Sequence, residues 1–130
     1  MASNLVVVGY RDGRREKGST FDFVPTKGTF HLESVEGGMR EIQVADLKAI
    51  FFVRDLAGDP NRQNRNEFDV NRSLHGRRIR VEFLDGELLV GTTQGYQPER
   101  VGFFVAPADH EANHERVFVV RAATRAVTLF

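Results

Sequence analysis

A chain of 130 residues fits within one domain, and two halves of about 55 to 60 residues would each stand near the lower limit for folding alone, so any two units in it are expected to share a core. With 18 basic and 18 acidic residues the formal net charge is zero; no global field gathers nucleic acid or an anionic membrane surface, and such contacts would need a local patch. The absence of cysteine excludes disulfides, thiolate metal sites and cysteine nucleophiles, and suits a reducing compartment.

The N-terminal MASNLVVVGY has no basic region ahead of a long apolar run, and no stretch of about 18 apolar residues occurs, so a cytoplasmic protein without membrane partners is expected. From Leu5, Val6, Val8 and Tyr10 alternate up to Arg11-Asp12-Gly13-Arg14. Asp-Gly between alternating runs predicts a strand, a tight primed turn and a second strand. That second strand, about Arg15 to Phe23, contains Gly18, which marks a bend or a close backbone approach. Pro25 closes it, and Thr29 to Leu32 reads as a third strand.

Met39 to Leu56 is ambiguous, because Leu47, Ile50, Phe51 and Arg54 are spaced as on a helix. The rest of the chain arbitrates. Val6 to Leu32 recurs 73 positions later as Ile79 to Val105, so that Asp12 returns as Asp85, Gly13 as Gly86, Gly18 as Gly91, Thr20 as Thr93 and Phe30 as Phe103. Lys48-Ala49-Ile50 returns as Arg125-Ala126-Val127 at the wider interval of 77, which places four extra residues in the loop Pro107 to Glu115. The later segment Arg116 to Phe130 is rich in β-branched and aromatic residues and breaks once, at Arg121 to Thr124. The earlier one is therefore read as strand, a tight turn near Asp46 to Lys48, and strand. Between the copies, residues 57–76 are dense in Asn, Arg and Gly and read as a polar linker, with 1–56 and 77–130 as the two repeats.

Five strands per copy, with Asp-Gly after the first, a glycine bend in the second and a short turn before the last, resemble the Sm-like barrel, a variant of the SH3-type small barrel. Val6, Val8, Asp12, Gly13, Gly18, Phe21 and Asp22 carry the resemblance in copy one, and Ile79, Val81, Asp85, Gly86 and Gly91 in copy two. It extends to two-copy bacterial proteins without assigned roles. The implied fold is all-β, two small barrels in tandem packed together. RNA-binding members of that family place Asn four residues after the Asp and an Arg-Gly pair in the last turn; here Asp22 is followed by Thr26, and the last turns hold Asp46-Leu47-Lys48 and Ala122-Ala123-Thr124. Their nucleotide pocket is not carried over.

Several residues are candidates for chemistry. Asn71-Arg72-Ser73-Leu74-His75-Gly76, with Arg11 and Arg15, resembles the two elements of the PilZ family, and the resemblance implies cyclic di-GMP held by Arg11, Arg15, Asn71, Ser73 and Gly76; an ordinary polar loop is the competing reading. Arg77, Arg78 and Arg80, with Tyr96 and Phe104, form a candidate nucleic-acid or partner surface, against a solvated strand face. His110 and His114 have a metal-compatible spacing, but no third ligand is assured, and no metal or other cofactor is expected. In each of Phe51-Phe52 and Phe103-Phe104 one ring would point inward and one outward, which calls for a second layer. No nucleophile and base, paired carboxylates or phosphate loop stand at meaningful spacing, so the chain is expected not to be an enzyme. The expected role is a bacterial adaptor or regulatory module binding a protein partner through barrel edges or an exposed aromatic face, with homo-oligomerisation open. Cyclic dinucleotide sensing and single-stranded nucleic-acid binding are the alternatives.

Overall fold

The computed structural model describes residues 4–54, 76–94, 96, 100–108 and 114–130. Its described residues form ten antiparallel strands: β1 (Asn4–Tyr10), β2 (Arg15–Thr20), β3 (Thr29–Ser34), β4 (Met39–Gln43), β5 (Leu47–Val53), β6 (Arg77–Phe83), β7 (Leu88–Thr93), β8 (Gly102–Pro107), β9 (His114–Val120) and β10 (Thr124–Leu129). Single 3-10 turns, Val44–Asp46 and Arg121–Ala123, join β4 to β5 and β9 to β10. The strands make one open sheet in the order β10-β6-β7-β8-β9-β5-β1-β2-β3-β4. The all-β expectation holds, and the segment from Met39 is strand, turn and strand, not a helix.

The hairpin turns differ from the expected primed form. Among the described residues no non-glycine residue has positive φ, so Asp12 does not adopt it, whereas Gly13 and Gly86 do, at 94° and 92°. Gly13 N donates to Tyr10 O and Tyr10 N to Arg14 O; Gly86 N donates to Phe83 O and Phe83 N to Glu87 O. Each is a three-residue connection closed by a left-handed glycine, in which the aspartate serves through its side chain. Asp12 Oδ1 accepts from Arg14 N and Asp85 Oδ1 from Glu87 N, both at 3.0 Å.

The sequence interval reappears bond for bond. Val6 pairs with Gly18 and Gly18 with Ser34; Ile79 pairs with Gly91 and Gly91 with Pro107. A Cβ on Gly18 would strike the Glu33 carbonyl, and one on Gly91 the Ala106 carbonyl, because each glycine lies where its strand leaves one neighbour for the next. Arg11 N donates to Asp46 O as Leu84 N does to Ala123 O, and Val44 N to Gly28 O as Arg121 N does to Val101 O. The β1–β5 register shifts at Lys48 and the β6–β10 register at Arg125. Each shift is a bulge, and the first places Leu47 and Ile50 on the same face despite their odd separation.

Where the halves meet, β5 and β9 pair through Ala49 with Val119, Ile50 with Phe118, Phe51 with Val117 and Phe52 with Arg116. Side chains alternate across these strands, and both faces are buried. One cluster contains Val6, Val8, Phe30, Leu32, Ile42, Leu47, Ile50 and Phe52 together with Phe118 and Val120 from β9. The other contains Ile79, Val81, Phe83, Leu89, Phe103, Val105, Val117 and Val119 together with Ala49 from β5. Each half thus contributes residues to the other's interior. Both aromatic pairs divide between clusters: Phe52 and Phe104 pack in the first, Phe51 and Phe103 in the second.

Candidate functional site

Strands β4 and β10 end the sheet, and among the described residues neither has a second strand beside it. Antiparallel pairing alternates, so the hydrogen bonds at the strand ends show which backbone groups turn outward. Ser34 N donates to Gly38 O and Val44 N to Gly28 O; Arg40 and Ile42 therefore bond β3, and Met39, Glu41 and Gln43 direct N–H and C=O to the open side. Phe130 N donates to Arg78 O, so Ala126 and Thr128 bond β6, while Val127 and Leu129 face outward. Such rows are templates for a further strand.

Beside β10 lies an open cavity of about 680 Å³, lined by Tyr96, Arg100, Arg121, Thr124, Arg125 and Val127 among others. Its Tyr96 is fixed edge-on against Phe103, with ring centroids 4.8 Å apart. Thr124 Oγ1 donates to Arg121 O at 2.6 Å and holds the turn. Arg125 reaches Glu82 at 3.6 Å and donates to Leu84 O at 3.1 Å. The three arginines make the lining cationic.

The corresponding place beside β5 is already filled. There Phe23, Val44, Leu47 and Ile50 are covered by Phe118 and Val120 of β9, with Phe104 against them. Phe23 meets Phe118 at 5.0 Å, and Phe104 meets Phe118 at 5.1 Å. Arg116 lies over the rings of Phe52 and Phe104, at 4.4 and 4.8 Å. Lys48, whose side chain is 12% exposed, reaches across to Asp85 at 2.8 Å and Glu87 at 3.2 Å. Its hydrogen bond and that of Glu87 N hold the Asp85 carboxyl below the usual aspartate value, against a small opposing effect of burial.

Two polar clusters border β4. Tyr10 Oη donates to Glu16 Oε1 at 2.9 Å, and Arg40 Nε stands 3.5 Å from Glu16 Oε2, a buried oxygen without a hydrogen bond. An ion pair at that distance supplies attraction but not a hydrogen bond. Burial, and then the Glu16 carboxylate, push the Tyr10 phenol from 10.0 up to about 12. At the corresponding positions, 73 residues on for Tyr10 and Glu16 and 77 for Arg40, the second half places Phe83, Leu89 and Val117, all buried. The second cluster joins Asp22 to His31 Nδ1 at 2.6 Å, to His31 N at 2.9 Å and to Thr20 Oγ1 at 3.2 Å. Burial alone would raise the Asp22 carboxyl, but the bonds from His31 and Thr20 outweigh it and leave the value lowered.

The residues singled out from the sequence fall in different places. Arg11 is exposed in the β1–β2 turn, and Arg15, at the start of β2, lies 6.0 Å over the Phe51 ring. Gly76 precedes β6 with φ 87°, and a Cβ there would strike the Thr93 carbonyl. Asn71, Ser73 and His110 lie outside the described residues, as does nearly all of the 57–76 linker; His114 opens β9, and its side chain too is outside the description. Arg77, Arg78 and Arg80 are exposed on β6. Tyr96 joins the cationic cavity, whereas Phe104, half-buried, packs against the first cluster. Among the described residues no three His, Cys, Asp or Glu side chains converge as metal ligands. The sequence offers Arg100 only as an extension of the basic surface, and Arg121 and Arg125 not at all. Those two lie apart from it in sequence, and their signal is correspondence to Val44 and Lys48 at the interval of 77.

The described part of this chain is thus an open all-β sheet with polar edges and two interiors, and none of its helices is long and apolar enough to cross a membrane. The chain belongs to the family of unknown function DUF6982, whose model matches residues 2–130. No curated protein and no solved structure matches it.

Proposed function

We propose that the chain is a non-enzymatic bacterial adaptor made of two Sm-like small barrels, residues 1–56 and 77–130, that binds a protein partner by adding strands to its edges. Recurrence of the turn bonds, the glycine contacts and the bulges at the intervals of 73 and 77 residues supports two copies of one unit. The observation that carries the reading is the β5–β9 joint, an edge-to-edge pairing inside the chain, beside two further edges of the same kinds that no other strand among the described residues covers. Backbone bonds along such an edge supply affinity, and the side chains beside it supply selectivity. A cytoplasmic location suits a cysteine-free chain of this sort.

A second reading, single-stranded nucleic acid, draws on one observation: Tyr96 stands among Arg100, Arg121 and Arg125. Cyclic dinucleotide binding at Arg11, Arg15, Asn71, Ser73 and Gly76 gains no comparable support. The readings separate in one thermal-shift panel of cyclic dinucleotides, RNA and DNA oligomers and divalent metals. A ligand at about 100 times its Kd adds about 2.7 kcal/mol and raises Tm by several degrees. The adaptor reading expects silence there, and loss of captured protein when Val127→Pro removes an edge donor from β10. A ligand-dependent Tm rise abolished by Arg11→Ala, or a nucleic-acid complex weakening steeply with salt, would replace it.

A further inference from the structure

We infer that the partner of the β10 edge is the β4 edge of a second copy of this chain, joined head to tail in the register of the internal β5–β9 joint. The inference rests on the edge-binding reading above and specifies its partner. The carrying observation is that, among the described residues, the cavity beside β10 is the vacant counterpart of the place that β9 fills beside β5. Val44, Leu47 and Ile50 there become Arg121, Thr124 and Val127 here, at one interval. The strand corresponding to β9 in the first half is β4, since β9 pairs with β8 as β4 pairs with β3: Gly102 with Val120 answers to Thr29 with Gln43. Carrying the β5–β9 register over sets Ala126 opposite Ile42, Val127 opposite Glu41, Thr128 opposite Arg40 and Leu129 opposite Met39.

Two independent features agree with that register. First, the outward backbone groups match: Val127 and Leu129 on β10 meet Glu41 and Met39 on β4, and all four are among the residues whose N–H and C=O face the open sides. Second, the chemistry changes on both sides together. Where β9 presents Phe118 and Val120 to an apolar recess, β4 presents exposed Glu41 and Gln43, and the recess they would enter is lined by Arg100, Arg121 and Arg125. Across the internal joint Lys48 binds Asp85; in the outer joint Arg125 would meet Asp12. Opposing this, Arg14 takes the place of Glu87 and already holds Asp12 at 2.8 Å. The outer joint is a polar, weaker and salt-sensitive form of the inner one. A head-to-tail contact is heterologous, so it yields rings or filaments instead of closed two-fold dimers.

The chain lacks cysteine, so introduced thiols report the joint directly. Arg40→Cys and Thr128→Cys occupy a facing pair that is not hydrogen-bonded in the expected register, close enough for a disulfide. Mixing the two variants under mild oxidation should give a mixed disulfide dimer, with little product from either alone. In sedimentation velocity, wild type should form concentration-dependent multimers at about 0.02 M salt and dissociate at about 1 M. Glu41→Arg and the double variant Arg121→Glu/Arg125→Glu should each weaken association tenfold or more, yet their mixture should form a dimer, because each retains the edge the other lacks. A wild type that stays monomeric at low salt to about 1 mM, or equal disulfide yield from single variants and mixture, would overturn self-pairing. If that monomer still loses a captured protein on Val127→Pro, edge binding stands and only the identity of the partner is wrong; if neither is observed, both readings fall.

Discussion

Gly18 and Gly91 show how one residue constrains three strands. Each sits where its strand changes partner, and a methyl group there would strike the carbonyl of Glu33 or Ala106. Gly18→Ala and Gly91→Ala should each cost about 1–3 kcal/mol in urea unfolding, with strand displacement as the cause; a cost under about 0.5 kcal/mol would contradict that close approach. Tyr10, Glu16 and Arg40 are polar where the second half has Phe83, Leu89 and Val117. The physical reason is position: β4 is an edge where Arg40 reaches water, whereas β9 is central and buried. Tyr10→Phe should cost about 1–3 kcal/mol by removing the donor to a half-buried carboxylate. Replacing all three by Phe, Leu and Val should be neutral or stabilising. The phenol also predicts a pH effect. Its folded value of about 12 exceeds the unfolded 10.0, so its contribution is complete below pH 10 and is lost as pH rises towards 12. A base titration of stability should show that fall in wild type and a smaller one in Tyr10→Phe.

The bulged strand is the most instructive element. Leu47 and Ile50 look helical in sequence because a period-2 strand with one inserted residue imitates a period near three. Only comparison with Thr124 and Val127, in a segment too rich in β-branched residues for a helix, resolved it from sequence. The β5–β9 joint depends on Phe118, which is fully buried and belongs by sequence to the second half but by packing to the first cluster. Phe118→Ala should cost about 3–5 kcal/mol in chemical denaturation, far more than the same change at exposed Phe21. A smaller loss would mean that the halves are held mainly by backbone pairing.

In the whole molecule, each interior is completed by strands from the other half. Residues 1–56 and 77–130 expressed separately should therefore give unfolded amide spectra, and folded spectra when mixed; a well-dispersed spectrum from either alone would show that its borrowed side chains are dispensable. Alternation and the Asp-Gly turns settled the strands and their hairpin partners, because each of these is fixed by neighbours in sequence. The local conformation of the turn was less legible: the sequence marks the glycine, but whether one or two residues take positive φ depends on the length of the connection. The pairing of β5 with β9, the opposite faces of the two interiors, the identity of the free edges and the meeting of Arg100, Arg121 and Arg125 were decided by tertiary structure alone. Strand edges carry the same backbone groups whatever their side chains, so only the folded arrangement selects which edges satisfy one another and which remain open.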